Sequence, residues 1–407
     1  MTIRNATLTD LVEMLQDQHA RKVDLVVSPQ HIRVDQAGNL EVRGAQPLVE
    51  SDGVTDPNGK YRAMDVFDDG LSSKLGIPRA YLRKMRADAP DLLAANVNGW
   101  MHGRRSMGDV IRPGVDKQFL LRLFRGENGP GVARALLSDR FGIIDNFDVV
   151  TAALQGIRDA GVAIDGDGIS ADLSDRKMFM RVPAPEIGVL APTLLAGYRS
   201  PFRDANVEEQ RNHGWNLDRA RQAAASEGMT PDEEKLVFAG LEIRNSEVGD
   251  GSFTIAPVLT INVCKNGLTI TTEALRRVHI GAKLEVGTIN WSADTMEKSR
   301  ELIVARTRDA VKSFLNVEFV QRMVDQITEQ AVTPLEKPQD TVEAVSKKLM
   351  FSAEETRGIL DHFMRGGQMT AGGVMQAMTS FSQTLADADR AHDLDDKALE
   401  VLELAAK

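Results

Sequence analysis

The chain has 407 residues, 42% hydrophobic and 27% charged, an ordinary balance for a soluble globular protein with room for one elaborate domain or two to three smaller ones. No apolar run approaches the roughly eighteen residues of a membrane helix, the N-terminus reads as an amphipathic helix rather than a signal peptide, and the single Cys264 excludes an intrachain disulfide. These features point to a cytoplasmic protein with no membrane partner, and a net charge of −10 argues against wholesale nucleic-acid binding.

Residues 1–21 predict a helix, with Leu8, Leu11, Val12 and Leu15 at helical spacing and Thr9 or Asp10 as cap. A strand over 22–29 comes next, then a hairpin over 31–42 that turns at Gly38. Turn-forming residues fill 44–62, and a helix begins near Met64. Pro78 then opens a basic amphipathic helix carrying Arg79, Arg83, Lys84 and Arg86, and a second helix over 92–101 runs into His102, Arg104 and Arg105. FLLRLF (119–124) and VARALL (132–137) form an antiparallel hairpin. Asp145 or Asn146 caps a helix that Gly161 ends, and two strands lie within 164–182.

Residues 183–235 carry little periodicity, but Tyr198, Phe202 and Trp215 interleave with Arg199, Arg203 and Arg211, a combination suited to stacking on bases while neutralising phosphates. A loop packing its aromatics onto a sheet is the competing reading. Beyond it lies the densest β-type stretch, with strands over 241–248, 253–263 (broken or kinked at Pro257) and 268–272. Glycine-bearing turns join them into a meander whose end carries Arg276, Arg277 and His279. The remainder reads as helices, with a linker at 334–340.

The expected architecture is therefore α+β, a central antiparallel sheet or meander with flanking helices and a helical C-terminal third. Segments 1–78, 79–330 and 341–407 are its expected divisions. Charge is unevenly spread: residues 79–140 carry a net +6, whereas 1–78 carry −4 and 331–407 carry −5. A basic island in an acidic chain can hold phosphate locally while the rest discourages indiscriminate binding; arginines paired with nearby acids explain it equally well.

Phosphate-binding loops, dinucleotide fingerprints, HExxH, paired CxxC and GxSxG are all missing from the sequence. Cys264 in an apolar strand reads as a small buried residue. Glu247 and Asp250, near His279 if the strands pair as drawn, form one candidate Mg²⁺ or acid/base set, although an ion-pair network at a sheet edge is the commoner meaning. For Asp139, Arg140, Asp145 and Asn146, capping and turn formation suffice.

Several short motifs carry a resemblance: Asn245-Ser246-Glu247-x-Gly249, Val263-Cys264-x-Asn266-Gly267, Arg277-x-His279-x-Gly281, the run 135–141 continuing to Asp145-Asn146, and TAGGVMQAMT at 370–379. Together they resemble the phage and plasmid-like proteins grouped as domain of unknown function nine-three-two, over about residues 135–380. The resemblance implies a mobile-element protein and no settled activity. Combined with the basic island, it leads to a first reading: a cytoplasmic homo-oligomer that binds single-stranded DNA without hydrolysing it, of annealing or recombination type, with no cofactor. Its contacts would be Arg79, Arg83, Lys84, Arg104, Arg105, Arg112, Tyr198, Arg199, Arg203, Trp215, Arg276, Arg277 and His279. The alternatives are a metal-dependent nucleic-acid enzyme using Glu247, Asp250 and His279 with Mg²⁺, and an assembly or host-interaction protein.

Overall fold

The structure, a computed structural model, describes residues 2–50, 53–106, 109–126, 129–162, 168–202, 236–261, 267–269, 275–277, 287–288 and 293–407. The fold is α+β and is built on two larger sheets. The first is antiparallel: β1 (Ile3–Ala6), β12 (Ser170–Leu173), β13 (Met178–Leu190), β14 (Leu236–Asn245), β15 (Phe253–Ile261) and β16 (Gly267–Thr269) lie in that order, with β17 (Leu275–Arg277) also on β15. The expected meander is β14–β15–β16. Pro257 does not break β15; it faces Leu241 and lies between the stretch paired to β17 and the stretch paired to β16.

The second sheet is mixed. Its order is β18 (Gly287–Thr288), β2 (Lys22–Val27), β10 (Phe119–Phe124), β11 (Gly131–Ser138), β7 (Gly59–Ala63), β4 (Leu40–Val42), β3 (Ile32–Val34), with β7 and β11 parallel. The expected hairpins β3–β4 and β10–β11 are both present. Strand pairing runs across residue 78, since β2 pairs with β10, so residues 1–78 and 79–140 build one sheet together.

Alternation decides which face of each sheet is covered. Val23, Leu25 and Val27 with Phe119, Leu121 and Leu123 turn one face of the second sheet onto α2 (Asp65–Leu75), α3 (Arg79–Asp88) and α4 (Pro90–His102), where Phe67, Leu71, Leu82, Met85, Leu93 and Val97 complete a core. On the first sheet Met178, Met180, Leu241, Ile243, Ile255 and Leu259 face a larger core that includes α5 (Asn146–Asp159), α6 (Ala293–Phe314) and α7 (Val317–Ala331). Helices α5 and α6 cross closely because Gly156 has no side chain: a Cβ there would stand 2.6 Å from the Val304 carbonyl. The C-terminal helices α8 (Pro338–Lys348), α9 (Ala353–Gly366), α10 (Ala371–Ser382), α11 (Ala388–Asp395) and α12 (Ala398–Ala405) share this second core.

The first helix, α1 (Leu8–Arg21), begins later than periodicity suggested. Residues 3–6 are β1, and Thr7 is the cap, with Asp10 closing a capping box back onto its backbone. Leu8 onward has the helical spacing, but the short apolar-polar stretch before it pairs with β12 instead.

Candidate nucleic-acid interface

The basic island divides into two populations. Arg122, directly opposite Asp24 on the neighbouring strand, is only 1% exposed. It donates two hydrogen bonds to the Asp24 carboxylate at 2.8 and 3.1 Å, one to Asp145, and one to the Glu247 carbonyl at 2.9 Å. Burial would lower its pKa, but the Asp24, Asp145 and Glu247 charges outweigh it and hold the guanidinium cationic. This arginine therefore contributes no surface charge. Arg134 is also buried and pairs with Glu247 at 2.6 Å, while Arg86 is bound to Asp68 and to the Gly38 carbonyl.

The second population is accessible. Lys84 and Arg104 are exposed with no side-chain partner among the described residues. Arg79 makes only a 3.5 Å ion pair with Asp69 and is 58% exposed; Arg83 faces Asp65 and Asp69 at 3.4 and 3.3 Å. After α4 the chain leaves the helix as a two-stranded ribbon, β8 (Gly103–Ser106) and β9 (Asp109–Pro113), which forms a sheet of its own. Its base needs glycine. Gly103 has φ of +78°, and a Cβ on it would lie 2.4 Å from the Gly114 nitrogen. Ile111 is an extra residue between the Arg104/Arg112 and Arg105/Val110 pairs, a bulge that sharpens the twist.

Arg112 lies over the Trp100 ring, 3.9 Å from its centroid, and donates to the Gly99 carbonyl. Trp100 remains 46% exposed. An aromatic ring ordered by an arginine, beside a ribbon bearing Arg104 and Arg105, can stack on a base and neutralise adjacent phosphates. Neither the ribbon nor Trp100 was legible in the sequence, where Trp100 closes an ordinary amphipathic helix.

Of the other expected contacts, Tyr198, Arg199, Arg276 and Arg277 lie on other elements. Tyr198 packs against Gly366 at the end of α9, and the Arg199 N–H donates to the Gly366 carbonyl at 2.9 Å, so both belong to the helical region; Tyr198 is a packing residue rather than an open platform. Arg276 and Arg277 lie on β17 at the outer edge of the first sheet, as the meander implied. Arg203, Trp215 and His279 lie outside the described residues, as do most of the 183–235 loop and Cys264.

The Glu247/Asp250 set is not assembled among the described residues. One Glu247 oxygen accepts from the Asn146 N–H at 2.6 Å, capping α5 from a distance, and the other faces Arg134; Asp250 instead faces Arg176 at 3.2 Å. Among the described residues no group of three or more metal-ligating side chains converges. Asp145, expected to cap α5, lends its carboxylate to Arg122 and Lys22 and makes no cap. Burial would raise its pKa, but Arg122 and Lys22 hold it well below the usual carboxylate range.

A second polar cluster went unread in the sequence. The register aligns Asp172, Phe179, Arg244 and Thr254 in one cross-strand row and Ser170, Arg181, Glu242 and Ala256 in the next. His392 on α11 lies flat on Phe179, with centroids 3.7 Å apart, its Nε2 2.8 Å from Asp172 and its Nδ1 3.1 Å from Glu242. Arg181 bridges Glu242 and Asp395, and Arg244 bridges Glu242 and Asp396. Beside this cluster a cleft of about 220 Å³, open to solvent, is lined by Lys177, Arg244, Thr254, Asp389 and Asp396. Alternating charge within apolar strands at Arg181, Glu242 and Arg244 was the available signal.

No family model, curated protein or solved structure matches the chain.

Proposed function

We propose that the protein binds single-stranded DNA without transforming it, as a phage- or plasmid-type protein of annealing or recombination kind acting as a homo-oligomer. One observation carries this reading: the Arg112–Trp100 stack at the root of a basic ribbon, with Arg104 and, on the neighbouring helix, Lys84 exposed and unpartnered among the described residues. Phosphate neutralisation by the cations supplies affinity, and stacking on Trp100 favours unpaired bases over a closed duplex. The mobile-element character implied by the motif resemblance agrees with it.

The alternative is a metal-dependent enzyme using Glu247, Asp250 and His279; the engagement of both Glu247 oxygens by Asn146 and Arg134 favours the binding reading over it. The test is fluorescence anisotropy with labelled single- and double-stranded oligonucleotides, with and without Mg²⁺, and then a denaturing gel. Tight single-strand binding with intact product supports the reading. Mg²⁺-dependent cleavage would replace it with an enzyme, and absence of binding at low salt would leave the ribbon as a protein-contact surface.

A further inference from the structure

Single apolar residues scattered over a surface need no explanation, but Val110 and Ile111 are chain neighbours, each 57% exposed, at the bulge of the basic ribbon. The ribbon pairs with no other strand, and neither residue joins a hydrophobic core among the described residues. Ribbons with open edges usually carry charge, which discourages strand-to-strand aggregation. Two bare β-branched residues are the opposite choice. Their χ1 angles are stiff, so a flat apolar partner seats on them at little cost in side-chain entropy.

Chain continuity fixes what lies beside them. Ile111 precedes Arg112, whose guanidinium lies over the Trp100 ring and donates to the Gly99 carbonyl. Beyond Arg112 the chain is tied back to α4, since the Val115 N–H donates to the Met101 carbonyl at 2.9 Å. Apolar step and aromatic ring are therefore linked through one arginine. Arg104, the cross-strand partner of Arg112, is exposed and adds positive charge at the same place. The other isolated ribbon, β5 (Leu48–Glu50) with β6 (Gly53–Thr55), also exposes an apolar pair, Val49 and Val54. Residues 46–58 contain no lysine or arginine, so that pair has no electrostatic hold on a polyanion.

We infer that the single strand taken by this surface is one emerging from a duplex, and that Val110 and Ile111 form a wedge against the last closed base pair. At such a junction the next pair has opened, so the outer face of the last one is a flat apolar surface left in water. The wedge covers that face, Trp100 stacks on the first unpaired base, and Arg104 neutralises phosphate on the unpaired arm. A continuous single strand satisfies the ring and the cation but leaves the wedge in water. A blunt duplex offers the wedge a face but gives Trp100 no unpaired base. Binding is therefore strongest at the fork, where two strands are being joined or exchanged. This inference rests on the single-strand reading, because the wedge adds to contacts that Trp100 and Arg104 already make.

The experiment is fluorescence anisotropy of the full chain with three labelled oligonucleotides of equal length: a single strand, a blunt duplex, and a fork with one duplex end and two unpaired arms. Wild type binds the fork about tenfold more tightly than the single strand, the scale expected from covering one or two aliphatic side chains. Val110→Thr with Ile111→Thr keeps the β-branched shape of the ribbon but makes the wedge polar, and brings that ratio to about twofold or less. Ile111→Leu stays apolar and keeps the wild-type ratio. Equal affinity of wild type for fork and single strand overturns the inference and leaves the single-strand reading standing. So does tightest binding to the blunt duplex, and so does a ratio that survives the double threonine variant. A ratio lost equally in Ile111→Leu marks a packing defect of the ribbon and overturns the wedge as well. Binding to none of the three oligonucleotides sinks the single-strand reading and this inference with it.

Discussion

Arg122 on β10 and Asp24 on β2 face each other across adjacent strands and are joined by two hydrogen bonds at 2.8 and 3.1 Å, in a site from which both side chains are almost wholly excluded from water. The same guanidinium reaches Asp145 at the start of α5 and the carbonyl of Glu247 just beyond β14. Arg122 thus ties the second sheet to the first sheet and its helix. Arg122→Ala leaves Asp24 and Asp145 buried with their main counter-charge gone, and breaking a buried pair from one side costs about 3–5 kcal/mol. Urea unfolding should show that loss at neutral pH. A change under about 1 kcal/mol would mean that water replaces the guanidinium without penalty.

Glu247→Gln separates a structural from a catalytic role. The amide cannot form the ion pair with Arg134, although its oxygen can still accept from the Asn146 N–H. Thermal melting should fall by several degrees, with oligonucleotide affinity unchanged within twofold. Loss of a divalent-dependent activity in a variant with wild-type melting would revive the enzyme alternative.

His392 fastens α11 to the first sheet through Phe179, Asp172 and Glu242. Removing the ring in His392→Ala uncovers Phe179 and strips one partner from each carboxylate. Limited proteolysis should then cut the chain between α10 and α11 at least tenfold faster than in wild type, while the stable core resists. Equal cleavage rates would show that Arg181 and Arg244 alone hold the helix.

Acid should unfold the protein through these same carboxylates. Burial would raise the pKa of Glu242, but Arg244, His392 and Arg181 hold it well below its ordinary value; Asp172, with His392 and Arg4, and Asp145 behave in the same way. Glu355 is drawn down to about 2, chiefly by its hydrogen bond from Arg390 and against its partial burial. Folded-state values below unfolded ones mean that stability is fully present above the unfolded pKa, near 4. It is lost as pH falls through the folded values. Asp395, whose pKa burial raises despite Arg181, acts in the opposite sense and offsets part of the loss. Circular dichroism against pH should show a plateau above about pH 5 and a cooperative fall below about pH 4. A flat signal down to pH 2 would mean that these pairs add nothing net.

Local pattern made the β10–β11, β3–β4 and β14–β15 hairpins legible, because alternation and glycine turns are short-range signals. Long-range pairing was not legible. Arg122 read as one more cation in a basic run, since its carboxylate partners lie 98 and 23 residues away, and Asp145 read as a helix cap because its true partners lie 23 and 123 residues away. The ribbon escaped notice for another reason: its bulge at Ile111 interrupts the two-residue period by which strands are recognised. The network around His392 depends on cross-strand register between β12, β13 and β14, which composition does not encode.

Single-strand binding by the ribbon and Trp100 is tested most directly by the salt dependence of oligonucleotide affinity in wild type, Arg104→Glu and Trp100→Ala. Wild type should give a log-linear fall with salt; Arg104→Glu should reduce that slope by about one or more, and Trp100→Ala should cost about 1–3 kcal/mol with the slope unchanged. Affinities in all three proteins that are equal and insensitive to salt would contradict a DNA-binding role for this surface.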